Sequence, residues 1–590
     1  MSFSCGMDVN PIGAGPPRRR RSDRKLTARQ CRQNLRSGIF PRHKLARFRR
    51  VLEPSSLPMQ GEEPMITKRK SKMKKFAQAA LLVALLPGLS FGDNGLKGMA
   101  VPPQKAAEAK NIILFIGDGM QLEHEIAYSR YLTGDDFALV WDNFPYQGSV
   151  TTWDVTTYNN YATLEGQTPF DYDQLDPAVG YDALRGGFDR YPLDETVSDD
   201  YFLRPRYATD SASAGTAMAT GLKTDDGNVA WLSRDPADGA LKTIAEQLRE
   251  ERGAAIGVVS TVPFNHATPA AFVSHNVSRN NYYTGRSGYA GLGIADEIIQ
   301  VVKPDVVIGG GHLDYDGGYL PRALYDELSQ SDEFVFVDRQ PDVDGGKALL
   351  AGAQQAARGG KKLFGLFGGA GGNFEPPVVL DQPGFPTVEP ATQENPTLAT
   401  ATEAALTVLA ENQKGFFLMV EQGDIDWANH ANDYRWMMGT MHDLHEAVKA
   451  AIAYVDQPGD HIDWSNTLLM VTSDHGNSYM RLNPELPMTK GDLPASEEII
   501  AWNQAPAPGV TPIVTYATGS HTNELVSLYV KGAAADLFTT REGSWYPGTN
   551  LLDNTQIHEV MHEFAFTWEY AGWRPGMPRA PFVSPVRAAR

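Results

Sequence analysis

The sequence predicts an α/β protein of three layers, α/β/α, with a large, mostly parallel central sheet and insertions at its surface. Three observations predict it. Short, almost wholly apolar runs recur through the chain, as strands buried on both faces do. Helix-like stretches lie between them for more than 400 residues, the alternation of a sheet covered on both sides. Nearly every run also ends in a polar residue capable of chemistry, which is where open α/β sheets gather their ligands.

Taken in order, the strands are predicted at 111–116, 254–260, 305–308, 416–420, 467–472 and 525–530, all read as parallel. Helices are predicted at 212–220, 241–251, 397–412 and 437–455. Two stretches interrupt the alternation. Residues 145–205 are crowded with Asp, Tyr, Gly and Pro, and 330–396 contain Gly-rich pieces such as 368–372. Both are read as surface insertions. The tail, 567–590, has Pro and Arg but no periodicity, and there is no internal repeat.

Composition separates a leader from a body. At 42% hydrophobic and 21% charged, the chain is globular rather than disordered, and 590 residues suit two to four average domains or one large α/β domain with insertions. The first 92 residues hold both cysteines, Cys5 and Cys31, with 20 Lys+Arg and five acids. The other 498 residues hold 33 bases and 66 acids and no cysteine, so they neither use nor need disulfides. Met73-Lys74-Lys75 followed by a short apolar run ending at Ser90-Phe91-Gly92 has the form of a signal peptide, 73–92, cleaved before Asp93. No apolar run after it reaches the length of a membrane span, so no stable membrane anchor is expected. Residues 1–72, with the Arg18–Arg21 run, could be a nucleic-acid-binding arm or a twin-arginine signal, but the run lies about 55 residues before the apolar segment. They are read as an upstream extension from a misassigned start, which leaves no nucleic-acid partner and predicts a periplasmic or secreted protein.

The polar residues at the strand ends define the chemistry. Gly117-Asp118-Gly119 follows the first strand, Asn265-His266-Ala267-Thr268 the second, Glu421 through Asp426 and His430 the fourth, and Asp474-His475-Gly476 the fifth. Each alone is unremarkable, since an Asp after a strand is commonly a helix cap. Together they predict a shared metal centre. Asp118, Asp426, His430, Asp474, His475 and His521 offer carboxylate and imidazole without thiolate, a set suited to catalytic zinc. Asp426 and His430 stand four apart at a helix start and can face one ion. Thr268 and Glu421 offer oxygen only, which suits a harder ion such as magnesium. Ser211 sits where a loop becomes a helix of small residues, and free amides at a helix N-terminus bind phosphate. A serine touching zinc there can be deprotonated and attack phosphorus, although the same residue could be no more than a cap.

GDGM (117–120), TDSASAGTAMATG (209–221), NHATPAAF (265–272), VSRNNY (277–282), VEQGDIDWANHAND (420–433), TSDHGN (472–477) and GSHTNE (519–524) resemble, in order, the successive motifs of alkaline phosphatases. The resemblance implies a homodimeric, metal-dependent phosphomonoesterase working through a phosphoserine on Ser211, with two zinc ions and one magnesium ion. It implies that Asp426, His430 and His521 hold the first zinc, and that Asp118, Asp474 and His475 hold the second. Asp118 would also bridge towards magnesium, completed by Thr268 and Glu421. Arg279 would clamp two phosphate oxygens in a bidentate fork, beside Asp210. Two zinc ions about 4 Å apart would stabilise the entering and leaving oxygens. Small phosphate monoesters of many alcohols are the implied substrates.

Some positions depart from the best-known bacterial pattern. His266 stands in place of an Asp and Trp427 in place of a Lys, which leaves the third metal and phosphate release open. Ala208 replaces a β-branched residue. His442 and His445, three apart, could bind metal but read as a solvated helix face, and Asp171, Asp173 and Asp176 could form a calcium loop. The competing functions are a phosphodiesterase or phosphonate-ester hydrolase of the same metal architecture, and a secreted metal- or phosphate-binding protein without catalysis. An arginine that clamps two terminal oxygens argues against a diester, and a full nucleophile and ligand set is superfluous for mere binding. A sulfatase would need a modified Cys or Ser followed by Pro and Arg, which Ser211-Ala212-Ser213 lacks. The acidic body, finally, predicts a salt-adapted enzyme whose carboxylates repel one another until screened.

Overall fold

The computed structural model describes residues 111–189, 199–204, 206–459, 461–486 and 488–566. The expected upstream extension, signal peptide and C-terminal tail lie outside the described residues. Ten strands form the central sheet: β1 Asn111–Gly117, β2 Tyr146–Thr151, β3 Ala255–Pro263, β4 Val306–Gly310, β5 Phe334–Asp338, β6 Lys362–Leu366, β7 Phe416–Gln422, β8 Thr467–Thr472, β9 Val526–Gly532 and β10 Leu551–Asp553. Their order across the sheet is β10-β2-β9-β8-β1-β7-β3-β4-β6-β5. β9 pairs antiparallel with both β8 and β2, and every other pairing is parallel.

Side-chain alternation along β1 explains the two outer layers. Ile113 and Phe115 point into a core shared with α1 (Leu122–Thr133), and with the later helices Leu398–Leu409 and Tyr434–Val455. Ile112, Leu114 and Ile116 point the other way, towards α2 (Ser211–Thr220), α3 (Ala267–Val273) and the helix Thr555–Phe566. All seven residues of β1 are buried, so a polar substitution on either face would strand an unpaired group in a core. The three-layer expectation is therefore met. No helix of the described residues is long and apolar enough to cross a membrane.

Three expectations need correction. The run at 525–530 is a strand, but antiparallel. The chain leaves β8 at Thr472 and returns to β9 beside it, pairing Thr472 with Leu528, without a crossover helix to carry it to the other end. An apolar run reports burial and not direction. The stretch 145–205 is not wholly an insertion, because it begins with β2, a strand of YQGSVT whose polar residues hide it from an apolar-run criterion. The rest of that stretch packs its own aromatic cluster, including Trp153, Tyr158, Tyr161, Phe170, Tyr181 and Tyr201.

Likewise 330–396 supplies β5, β6 and a helix, Gly345–Gly359. Its Gly-rich piece is no surface loop. Gly311 N–H donates to Gly372 O at 2.7 Å, and a Cβ on Gly310 would lie 2.0 Å from that same oxygen. Two backbones touch there, which only glycine allows.

Between α3 and Arg279 the chain is pinned by an ion cluster. His275 Nδ1 lies 2.8 Å from Glu297 Oε1, and its Nε2 lies 3.3 Å from Glu246 Oε2. Ser274 Oγ and His275 N–H both donate to Glu297 Oε2 at 2.8 Å. Burial acts to lower the His275 pKa, but the Glu246 and Glu297 carboxylates prevail and raise it from 6.5 to about 10. A raised folded-state pKa contributes stability that is complete below about pH 6.5 and lost as pH rises through about 10. Urea unfolding at pH 7 should show His275→Asn destabilised by about 3 kcal/mol, the cost of breaking a largely buried pair. The gap should shrink towards pH 10, and a gap independent of pH would show that the imidazolium contributes nothing.

Candidate functional site

Four adjacent parallel strands, β8, β1, β7 and β3, end side by side, and the residues just past their carboxyl ends build the site. After β1, Asp118 N–H donates to Gln422 O at 3.1 Å, and Gly119 N–H donates to Asp474 Oδ1 at 3.0 Å. Gly119 has φ +68°, and a Cβ on it would stand 2.9 Å from Asp426 Oδ1. After β7 comes α4, Asp424–His430, which sets Asp426 and His430 on one face, 3.2 Å apart. After β8, Asp474 and His475 lead into a two-residue ribbon in which Asn477 pairs with His521. The ribbon carries His521 to the others. After β3, His266 precedes α3, whose first turn holds Thr268.

The six expected zinc-type residues fall into two groups, Asp426 with His430 and His521, and Asp118 with Asp474 and His475. In each group the possible ligand atoms lie within 4.8 Å of one another. His430 Nε2 and His521 Nε2 approach to 3.1 Å, and His521 Nε2 lies 3.3 Å from Asp426 Oδ1. The far nitrogens are oriented by backbone: His430 Nδ1 contacts Gly519 O and His521 Nδ1 contacts Thr209 O, each at 2.8 Å. That is the outer-shell arrangement which aims an imidazole at an ion. Asn477 Nδ2 donates to Asp426 Oδ1 at 2.5 Å. His475 Nε2 lies 3.3 Å from Asp118 Oδ1 and 3.4 Å from Asp474 Oδ2.

Electrostatics supports a cation here. Burial, then Asp474, Asp426 and Glu421, push Asp118 well above the ordinary carboxylate range. Burial lowers His475 to about 4 against the pull of Asp474, so its ring is neutral and free to ligate. Asp426 is buried, which alone would raise its pKa, yet His430 and His521 hold it well below the usual range. Asp118 Oδ1, Asp474 Oδ2, Glu421 Oε1 and Thr268 Oγ1 are out of reach of solvent and make no hydrogen bond of good geometry. Buried oxygens left in that state are costly unless a cation or water meets them. Glu421 is pushed up to about 7 by burial, although Ser260 Oγ donates to its other oxygen at 2.5 Å.

Ser211 opens α2 and is 2% exposed, with Oγ 3.3 Å from His475 Nε2. Asp210 is the cap of α2, accepting from Ser213 N–H at 3.0 Å, and its other oxygen takes Arg279 Nη1 at 2.7 Å. Burial opposes ionisation of Asp210, but Arg279 and these donors hold it far below the carboxylate range. One carboxylate thus fixes both the serine's helix and the arginine. His266 is neutral, lowered to about 3 by burial and then by Arg279, and its ring meets Trp427 edge-on at 5.8 Å.

A third acidic group, Asp154, Asp210 and Asp226, converges behind Ser211. Asp154 Oδ2 accepts from Ser213 Oγ at 3.0 Å, so its role is to brace α2. Asp171, Asp173 and Asp176 do not converge: Asp171 takes the Asp173 N–H and Asp176 caps a short helix. His442 and His445 are not a solvated face. His445 is 4% exposed, and His442 Nδ1 lies 2.8 Å from Tyr128 Oη, because this side of their helix packs on α1. Sequence reading missed Asn477, Gly519 and Thr209, whose signal lay in motif positions flanking the ligands.

These features fit one class, a hydrolase with paired candidate cation sites, a serine on a helix N-terminus and an arginine held beside it. A family profile described as alkaline phosphatase matches residues 179–485. Alkaline phosphatase 3 of Bacillus subtilis is 30% identical over 412 residues, covering 68% of this chain and 70% of that protein. An alkaline phosphatase of Escherichia fergusonii is 32% identical over 405 residues, covering 64% and 72%. The solved cold-active alkaline phosphatase of a psychrophilic Shewanella is similar at 24% identity and TM-score 0.49, over 77% of this chain and 99% of that one. The chain belongs to the alkaline phosphatase family, whose members are metal-dependent hydrolases of phosphate monoesters. Gly119→Ala forces the Asp426 carboxylate aside, and should lower metal affinity about 10–100-fold, read by chelator competition. Unchanged metal affinity would show that Asp426 has room to move.

Proposed function

We propose that this chain hydrolyses phosphate monoesters through a phosphoserine on Ser211, using two zinc ions and one magnesium ion. The observation that carries the reading is the convergence of two carboxylate–imidazole groups beside one buried serine and one arginine. Asp426, His430 and His521 would hold one zinc, and Asp118, Asp474 and His475 the other. Asp118, Thr268 and Glu421 would hold magnesium, with His266 and Trp427 beside them. Ions there supply Lewis acidity that lowers the pKa of a hydroxyl and offsets charge on phosphate oxygens. Ser211 Oγ bonds to phosphorus as the P–O bond to the alcohol opposite it breaks, and the proton that Ser211 gives up reaches the departing alkoxide through solvent. Arg279, held by Asp210, donates two N–H groups to phosphate oxygens, and the amides opening α2 lie behind the serine. Water then attacks phosphorus, releasing inorganic phosphate and restoring Ser211. The two-oxygen clamp favours one ester substituent, so monoesters are the substrates and diesters poor ones.

The same reading takes the enzyme to be a homodimer, exported after cleavage of a signal peptide at 73–92, with 93–566 as its catalytic domain. Ser211→Ala should reduce kcat about 1,000-fold or more on 4-nitrophenyl phosphate. Chelation should abolish turnover and zinc with magnesium restore it, while acid quenching should recover phosphate on Ser211 by mass spectrometry. Monoester turnover that survives chelation would sink this mechanism. The 66 acids against 33 bases beyond residue 92 also lead us to propose salt adaptation. Raising salt to about 1 M, where the Debye length is about 3 Å, should raise the Tm. A flat or falling Tm would contradict it.

A further inference from the structure

Beside the metal-type groups the surface carries an aromatic ring that the chemistry above does not use. Trp502 is 57% exposed, whereas most large aromatics among the described residues are buried. It is nonetheless held firmly. It stands in a turn closed by Gln504 N–H donating to Ala501 O at 2.9 Å, and its own N–H donates to Asn432 Oδ1 at 3.2 Å. Asn432 Nδ2 in turn donates to Asn429 O at 2.8 Å and Thr518 O at 3.0 Å. The backbone at Trp502 is therefore tied to the end of α4 that presents His430.

The ring itself lies against Gly519. A Cβ on Gly519 would stand 3.1 Å from Trp502 Nε1 and 3.1 Å from His430 O, so the missing side chain is what admits the indole. Gly519 O is also the acceptor that orients His430. The His430 side chain is 39% exposed, while Asp118, Asp474 and His475 are at most 1% exposed. The centre opens beside His430, and Trp502 stands at that opening.

On the proposed reading, which this inference rests on, Ser211 Oγ attacks from beside His475, 3.3 Å away. An in-line displacement then sends the departing alcohol towards the other group, the one containing His430, and its substituent reaches the rim there. We infer that Trp502 is a specificity-determining platform on which a planar aromatic alcohol or a nucleobase stacks, making nucleoside and aryl phosphates the favoured monoesters. A ring on an aromatic face gains affinity without needing any particular hydrogen-bond pattern, and aliphatic alcohols lack that gain.

The test compares kcat/KM for adenosine 5′-monophosphate, 4-nitrophenyl phosphate and glycerol phosphate in wild type, Trp502→Ala and Trp502→Phe. Intrinsic ester reactivity cancels when each aromatic-to-glycerol ratio is compared between variants. In Trp502→Ala the ratio should fall about tenfold, through KM rather than kcat, and in Trp502→Phe it should stay within about threefold of wild type. A fall for one aromatic ester alone assigns the platform to nucleobases or to rings on the ester oxygen, and both outcomes support it. An unchanged ratio in Trp502→Ala, or an equal loss on all three esters, overturns it. Wild type that cleaves none of the three would instead overturn the functional reading.

Discussion

Buried negative charge is the constraint on which the rest of the site depends. Asp118, Glu421, Asp426 and Asp474 are each at most 5% exposed, and Arg279 is the fixed cation that acts on Asp118 and Glu421. Taking carboxylates out of water costs several kcal/mol each unless something positive meets them. Asp426 is met by two imidazoles and an amide, and Asp210 by the arginine. Asp118 and Glu421 are not so met, and their raised pKa values record that strain. The family works with metal ions, and a cation held between these carboxylates would supply the positive charge they lack.

The sheet is what makes such a concentration of charge possible. Parallel strands present their carboxyl ends along one edge, so neighbours in space come from distant parts of the chain. That is why the site is legible at all: an acid or imidazole after an apolar run is a weak sign once, but the edge adds the signs together. The D-x-x-x-H spacing of Asp426 and His430 depends only on helix geometry, and α4 realises it. His521 depends on pairing, Asn477 opposite His521, which no local pattern announces: residue type put it in the ligand set, and the family resemblance gave it its partners.

The misreadings have physical causes of the same kind. Strand direction is set by how the chain returns, so composition cannot tell β9 from its parallel neighbours. Glycines read as punctuation at 368–372 because sequence cannot distinguish a loose loop from two backbones in contact. His442 and His445 read as outward-facing because an i, i+3 pair says which side of a helix it shares and not what that side meets; Tyr128 is what it meets. Trp502 belongs to a polar, Pro-rich stretch without periodicity, so its place beside His430 comes from Asn432 and Gly519 rather than from its own surroundings.

The place of β1 in the sheet has a consequence for how the protein is made. Asn111 opens the strand, and its neighbours are Phe416 on one side and Thr467 on the other. A ribosome adding about 5–20 residues per second needs roughly 15–60 s to emit the chain between β1 and its first partner. Throughout that time a strand apolar but for Asn111 has both edges unpaired, a state prone to aggregate or bind a chaperone. The edge that gathers the metal-type residues cannot be complete before β7 and β8 arrive. Synthesis therefore delivers β3, β4, β5 and β6, which pair among themselves, well before β1 has any strand beside it, and the edge that carries the metal-type residues closes after them.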